Sequence, residues 1–367
     1  MRGPVGQPDS LGPSRIVRDG QFGPGPVMAN TNMPLDRLLT HLDRLAQKAL
    51  VLWDLPPKAR ARRINVSENT TYLVEAEGGF RAILRVHREN YHTMRAIECE
   101  LAWIAALDRD KVVATPACHR GRDGRAIQSC AIDGLDAPRF LVLSEFVEGV
   151  QPVATGDLAA PFEQLGAMAA RMHLHAMNWL RPDGFERLLW DDAAVFGPNA
   201  IWGNWRDAPN VDASVRAVLE AAQKAIRARL AAYGKGRERY GLIHADMRLA
   251  NLLIDGAETR LIDFDDCGFG WFLYDFAAAI SFVETDPAIP ALKAAWLRGY
   301  RRVRSLSARD EAEIETFVMM RRMALLAWIG SHIEAPEPQA MAPHFAADTA
   351  RLADDWLARL KAQTEGF

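Results

Sequence analysis

The stretch Gly241–Asp266, GLIHADMRLANLLIDGAETRLIDFDD, decides how the rest of the chain is read. An apolar run enters a polar loop carrying His244, Asp246 and Asn251. After Asp255-Gly256 a second apolar run ends in Asp263, with Asp265 and Asp266 just behind. Asp-Gly between two apolar runs is a strong hairpin signal, because glycine accepts the positive φ of a tight turn. Folded as a hairpin, the stretch brings Asp246, Asn251 and Asp263 to one edge. One carboxylate to take a hydroxyl proton, with an amide oxygen and a second carboxylate to hold a divalent cation on nucleotide phosphates, is the set that phosphoryl transfer uses.

The whole chain bounds the setting. Its 367 residues exceed what one core organises and suit two lobes. A net charge of −3 supplies no general attraction to nucleic acid or to an acidic membrane surface, so neither is an expected partner. No apolar run reaches the roughly 18–20 residues of a membrane helix, and the first residues lack a charged-then-apolar leader pattern. Cys99, Cys118, Cys130 and Cys267 form no CxxC pair and read as free thiols of a reducing compartment. A cytoplasmic location is expected.

Upstream of the hairpin, residues 1–30 are rich in Gly and Pro and read as a disordered tail. Leu35, Leu38, Leu39, Leu42 and Leu45 are spaced for an amphipathic helix over 34–53. Short β-prone runs predict strands at 60–66, 70–76 and 80–87. Ile97, Leu101, Ile104 and Leu107 predict a helix over 92–108, and two further strands fit 125–133 and 139–146. Beyond Glu148-Gly149 the chain turns helical, with helices expected at 161–179, 211–233, 272–284, 288–303, 308–333 and 343–363. Between the first two lies an irregular stretch, 180–210, rich in Trp, Asp, Pro and Asn. The expected class is α+β: a five-stranded antiparallel sheet lobe over 31–148 and a mainly helical lobe over 149–367.

A sheet lobe, a helical lobe, HxDxxxxN and then a strand ending in Asp is the layout of the protein-kinase-like fold. Within that layout, HADMRLANLLID…LIDFDD resembles the aminoglycoside phosphotransferase/choline kinase superfamily, over roughly residues 60–330. The match is nearest to its homoserine-kinase-like and bacterial stress-kinase-like branch. The resemblance implies an ATP- and Mg2+-dependent transfer to a hydroxyl. It implies that Asp246 is the catalytic base, that Asn251 and Asp263 hold the metal, and that His244 orients the loop without doing chemistry. Asp275, in FLYDFAAA, looks like the buried aspartate that ties this loop's backbone. Asp265 has no settled role.

The expected nucleotide lobe departs from protein kinases in two places. It has no GxGxxG, and the turn SENTTY (67–72) stands there instead, with Ser67, Asn69 and Thr70 as candidates for phosphate contact or as an ordinary polar turn. In AILRVHR the position of the phosphate-contacting lysine is taken by Arg85, whose fork still suits phosphate and carboxylate oxygens. Glu100 is its expected partner, with Glu98 in reserve. Glu145, Phe146 and Val147 are expected to flank the adenine.

The acceptor is less defined. A small hydroxylated amine or amino acid of the homoserine type comes first, an aminoglycoside second and a protein Ser/Thr third. A nucleotide-binding pseudoenzyme is the competing class. Trp190, Asp191, Asp192, Trp202 and Trp205 offer aromatic faces and carboxylates suited to a sugar or an amine, or else fill gaps between helices. Arg248 sits two residues beyond the expected base. Arg321, Arg322, Trp328 and His332 share one predicted helix, and periodicity does not select which of them faces the cleft.

Overall fold

Helix α1 (Leu35–Ala49) turns its leucine stripe inward, burying Leu42, Leu45, Ala46 and Ala49 in one core with Tyr72, Val74 and Leu84 of the sheet. Each fully buried leucine contributes about 1.5–3 kcal/mol. The sheet follows as β1 (Arg60–Val66), β2 (Thr70–Ala76) and β3 (Phe80–Val86). Helix α2 (Met94–Arg109) starts at Thr93, whose hydroxyl accepts from the Ala96 N–H and caps the first turn. Then come β4 (Cys118–His119), β5 (Ile127–Cys130) and β6 (Arg139–Glu145). The coordinates are a computed structural model that describes residues 33–152, 158–255 and 258–365. The tail expected over 1–30 lies outside them.

The sheet is antiparallel, in the order β1-β2-β3-β6, and it carries six strands rather than five. The extra one is the two-residue β4. It pairs with Ser144 and Leu143 of β6, and β5 pairs with residues 139–142 of the same strand. A segment of two residues has no alternation to read, which is why the sequence does not announce it.

The second half is built on α3 (Ala159–Asn178), and the stretch expected to be irregular contains β7 (Leu188–Trp190) and α4 (Asp192–Phe196). Next come α5 (Ala213–Tyr233), β8 (Tyr240–Ile243), β9 (Leu252–Asp255), β10 (Glu258–Leu261), β11 (Gly268–Trp271) and α6 (Tyr274–Ala279). The chain ends with α7 (Ile289–Val303), α8 (Ala308–Ala312), α9 (Ile314–Ser331) and α10 (Pro336–Glu365). The helix expected over 308–333 is thus broken near Glu313, and the last helix begins before Pro343 and contains it. Helices α3 and α7 approach closely at Gly166 and Gly299. A Cβ on Gly299 would collide with the Glu163 carbonyl, and one on Gly166 with that of Trp296.

Strands β9 and β10 form the anticipated hairpin, Leu252 opposite Leu261 and Asp255 opposite Glu258. The Ile262 N–H donates to the Asn251 carbonyl at 3.0 Å, so Asn251 and Asp263 leave the open end side by side. Strand β11 lies between β7, parallel to it, and β8, antiparallel. This small sheet sets the Trp190 region beside the hairpin. All four cysteines are free. Among the described residues no helix is long and apolar enough to cross a membrane.

Candidate active site

The loop after β8 is held from below. Asp275, fully buried on α6, accepts the Ala245 N–H on Oδ1 at 2.7 Å and the His244 N–H on Oδ2 at 3.3 Å. It also accepts His173 Nε2 at 2.9 Å. This is the backbone tie expected of Asp275. It stabilises Ala245 at φ 65°, a left-handed conformation that costs a non-glycine residue about 1–2 kcal/mol. His244 has one consistent tautomer. Its Nε2 faces the Ile262 carbonyl at 3.2 Å and so carries the proton, and its Nδ1 accepts the Asp246 N–H at 3.2 Å. Burial holds its pKa down. His244 therefore joins the two loops as a neutral strut.

Asp246 is itself 8% exposed and surrounded by donors. Arg321 Nη2 reaches Oδ1 at 3.0 Å, Asn251 Nδ2 reaches Oδ2 at 2.8 Å, and Arg248 Nε lies 3.2 Å from each oxygen. Burial opposes its charge, but Arg248 and Arg321 prevail and keep the carboxyl below its usual range. Asn251 Nδ2 also donates to the Asp246 carbonyl at 2.8 Å, which fixes the amide with Oδ1 turned away.

Asp263 follows β10 with φ 62° and leaves 48% of its side chain open. Desolvation in the cleft, then the charge of Asp265, push its carboxyl up to about 7. Asp265 behaves oppositely. Burial works against its charge, but His92 at 3.4 Å and Arg85 at 3.6 Å hold its pKa far down. Asp265 is thus a buried counter-charge to Arg85.

From the sheet, Arg85 on β3 makes a short charge-assisted bond to Glu100 on α2, the partner expected for it. Its other nitrogen lies 3.8 Å from Asp263. Glu98, the reserve, pairs with Arg95 on the surface. In the SENTTY turn, Ser67 is exposed, while Asn69 Oδ1 accepts the Arg88 N–H at 3.0 Å and Thr70 opens β2 as a buried residue. Asn69 thus fixes the shape of the turn. Glu145 ends β6, Phe146 lies under the Arg81 guanidinium at 4.2 Å, and Val147 is buried.

Several residues gave no sequence signal. Arg187, 3% exposed, donates to the carbonyls of Cys267 at 2.7 Å, Ala96 at 3.1 Å and Asp265. It binds α2 to the acidic loop. Tyr91 donates to Asp266 at 2.9 Å, and Glu68, at the tip of the SENTTY turn, accepts Trp328 Nε1 at 2.7 Å. An isolated Arg or Tyr has no periodicity or spacing from which such long-range contacts can be read.

The tryptophan-rich stretch divides. Trp190 and Trp202 flank Arg321, their rings 5.8 and 4.9 Å from its guanidinium carbon. Trp205 instead packs into helices and donates to Gln223 at 2.8 Å. Asp191 caps α4 and pairs with Lys235 at 2.7 Å, and Asp192 lies 3.8 Å from Arg227. These three hold the scaffold. On α9, Arg321 and Trp328 reach the cleft loops, Arg322 pairs with Glu284 at 2.6 Å, and His332 stacks on Trp328.

A sequence profile of the phosphotransferase enzyme family matches residues 60–306, more than half of the chain. The chain belongs to this phosphotransferase family. Its fold and enzyme class, kinase, follow from that membership and from its solved relatives. A microcompartment-associated aminopropanol kinase is 44% identical, with a TM-score of 0.79 over 86% of this chain and 97% of the other. A homoserine kinase of Gluconobacter oxydans is 27% identical over 263 residues, 68% of this chain and 74% of the other. An amicoumacin kinase in complex with AMP-PNP, Ca2+ and Ami shares the fold, with a TM-score of 0.69 over 83% of this chain and 92% of the other at 21% identity.

Proposed function

We propose that this phosphotransferase moves the γ-phosphoryl group of ATP to the hydroxyl of a small amino alcohol. The observation that carries the chemistry is the setting of Asp246, a carboxylate kept ionised by Arg248 and Arg321 and fixed by Asn251. A group in that state accepts the acceptor's proton as its oxygen bonds to the γ-phosphorus and the bond to the ADP oxygen breaks. The 44% identity to an aminopropanol kinase supports the acceptor class over an aminoglycoside or a protein hydroxyl.

The donor set fits a divalent cation. Asn251 presents a fixed amide oxygen, and Asp263 carries an open carboxylate whose pKa is raised by desolvation and then by the charge of Asp265, so that a cation there would be favourable. Asn251 and Asp263 would hold Mg2+, which neutralises charge on the nucleotide phosphates. Arg85, fixed by Glu100, pairs with those phosphates, and the SENTTY turn, with Ser67, Asn69 and Thr70, covers them. Glu145, Phe146 and Val147 border the adenine. Residues 31–148 thus serve the nucleotide and 149–367 the base and the acceptor.

ADP release measured with ATP, Mg2+ and a panel of acceptors tests the reading. The panel is 1-amino-2-propanol, 1,2-propanediol, homoserine, an aminoglycoside and a serine peptide. The amino alcohol should give the highest kcat/KM and a phosphomonoester product. ATP binding with no acceptor turnover would instead mark a pseudoenzyme, and a faster aminoglycoside would move the assignment.

A further inference from the structure

The bonds that hold the catalytic loop do not end at Asp275. His173 on α3 is fully buried and reaches Asp275 Oδ2 with Nε2 at 2.9 Å and the Tyr300 hydroxyl of α7 with Nδ1 at 3.0 Å. Asp275 accepts from the His244 and Ala245 N–H groups, so it is the acceptor for His173 as well, and Nε2 carries the proton. Burial lowers the pKa of His173, which leaves Nδ1 a lone pair in need of a donor. The Tyr300 hydroxyl is that donor. Its oxygen accepts Arg304 Nη1 at 2.7 Å, which turns its hydrogen toward His173. Donation thus runs one way, from Arg304 through Tyr300 and His173 to Asp275, beneath the loop that carries Asp246.

These bonds lie in rigid surroundings. Gly299, next to Tyr300, has no side chain, which lets α7 pass against the Glu163 carbonyl of α3. Tyr300 is fully buried and stacks on Trp296 at 4.8 Å, and the His173 ring stacks on Phe272 at 4.5 Å, 20° from parallel. The Arg304 guanidinium lies 5.0 Å from the same Phe272 ring and also donates to the Glu238 carbonyl. Packing fixes where the imidazole sits, but its shape is the same with the proton on either nitrogen. With the proton on Nδ1, the Nε2 lone pair would face the Asp275 carboxylate, and the tie would lose one of its three donors. A phenylalanine at 300 would fill the same space without supplying the hydrogen bond that prevents this.

We infer that Tyr300 is a positioning residue for phosphoryl transfer: its hydroxyl, oriented by Arg304, holds His173 in the tautomer that completes the Asp275 tie and so sets the loop bearing Asp246. Tyr300 acts through His173 and Asp275 and touches neither nucleotide nor acceptor. The inference rests on the reading of Asp246 as the base.

The test compares wild type with Tyr300→Phe, with thermal melts to check that the variant is folded. The protonation pattern of the His173 ring is read by 15N NMR, its signals assigned by their loss in His173→Asn. Single-turnover transfer from ATP to 1-amino-2-propanol with Mg2+ is measured beside ATP affinity. Wild type should show a protonated Nε2 and a bare Nδ1. In Tyr300→Phe the proton should spread to Nδ1, and transfer should fall about fivefold or more, the scale of one lost hydrogen bond, with ATP affinity within about threefold of wild type. An unchanged transfer rate, an unchanged His173 ring, or a loss of ATP affinity equal to the loss of transfer would each overturn the inference. A wild-type protein that binds ATP without transferring would overturn the proposed reaction and the inference with it. A wild type that transfers, with Tyr300→Phe equally fast, would overturn the inference alone.

Discussion

Arg321 on α9 donates to Oδ1 of Asp246 at 3.0 Å, across 75 residues of sequence. With Asn251 on Oδ2, it leaves the carboxylate little freedom to rotate. It also favours the ionised form, against the burial that opposes it. Replacing Arg321 by Met should therefore raise the Asp246 pKa and move the acidic limb of the kcat/KM profile to higher pH. The loss of a charge-assisted bond, about 1.5–3 kcal/mol, should lower kcat/KM roughly 10- to 150-fold. An unmoved acidic limb would separate Arg321 from the titration of the base.

Arg85 makes a different kind of demand. One nitrogen is spent on Glu100, and another faces Asp263 and Asp265. Lysine carries the charge but lacks the fork. Arg85→Lys should raise KM for ATP about tenfold or more and leave the amine-to-diol preference as it is. A shift in that preference would mean that Arg85 serves the acceptor.

Asp275 receives three buried donors, from His244, Ala245 and His173. Truncating it to Ala strands all three. Each unsatisfied buried group costs about 1–3 kcal/mol, so unfolding by urea should show a loss of at least roughly 3 kcal/mol. A smaller loss would mean that the loop finds other acceptors.

Much of this was legible beforehand for physical reasons. The hairpin, Asp246, Asn251 and Asp263 are local: the two apolar runs pair as β9 and β10 and put them together without help from distant chain. The Arg85–Glu100 pair was legible through its resemblance to a known layout. The acceptor side was not. Trp190, Trp202 and Trp205 look alike in sequence, yet only the first two flank Arg321. On α9, nearly every side chain is buried, so no apolar stripe distinguishes Arg321, which faces Asp246, from Arg322, which faces Glu284. Glu68 sat inside a turn read for its hydroxyls and amides, and its bond to Trp328 spans 260 residues.

Acid should unfold the protein in a definable window. Burial lowers the pKa of His87, His173 and His244 below that of an unfolded histidine, near 6.5. The unfolded chain then binds more protons than the folded one once the pH drops below that value. Stability falls with pH there, by up to about 1.4 kcal/mol per pH unit for each such histidine. Urea midpoints between pH 7.5 and 5 should decline, and a flat profile would contradict neutral buried imidazoles. His173→Asn, at the Asp275 contact, should flatten part of the slope.

The central claim concerns Asp246, and it is tested by Asp246→Asn with 1-amino-2-propanol and ATP. Single-turnover phosphoryl transfer is measured beside ATP affinity. The account predicts a fall in transfer of at least about 100-fold, the scale of general base catalysis, with ATP affinity within about threefold of wild type. Transfer at the wild-type rate with intact ATP binding would contradict Asp246 as the base.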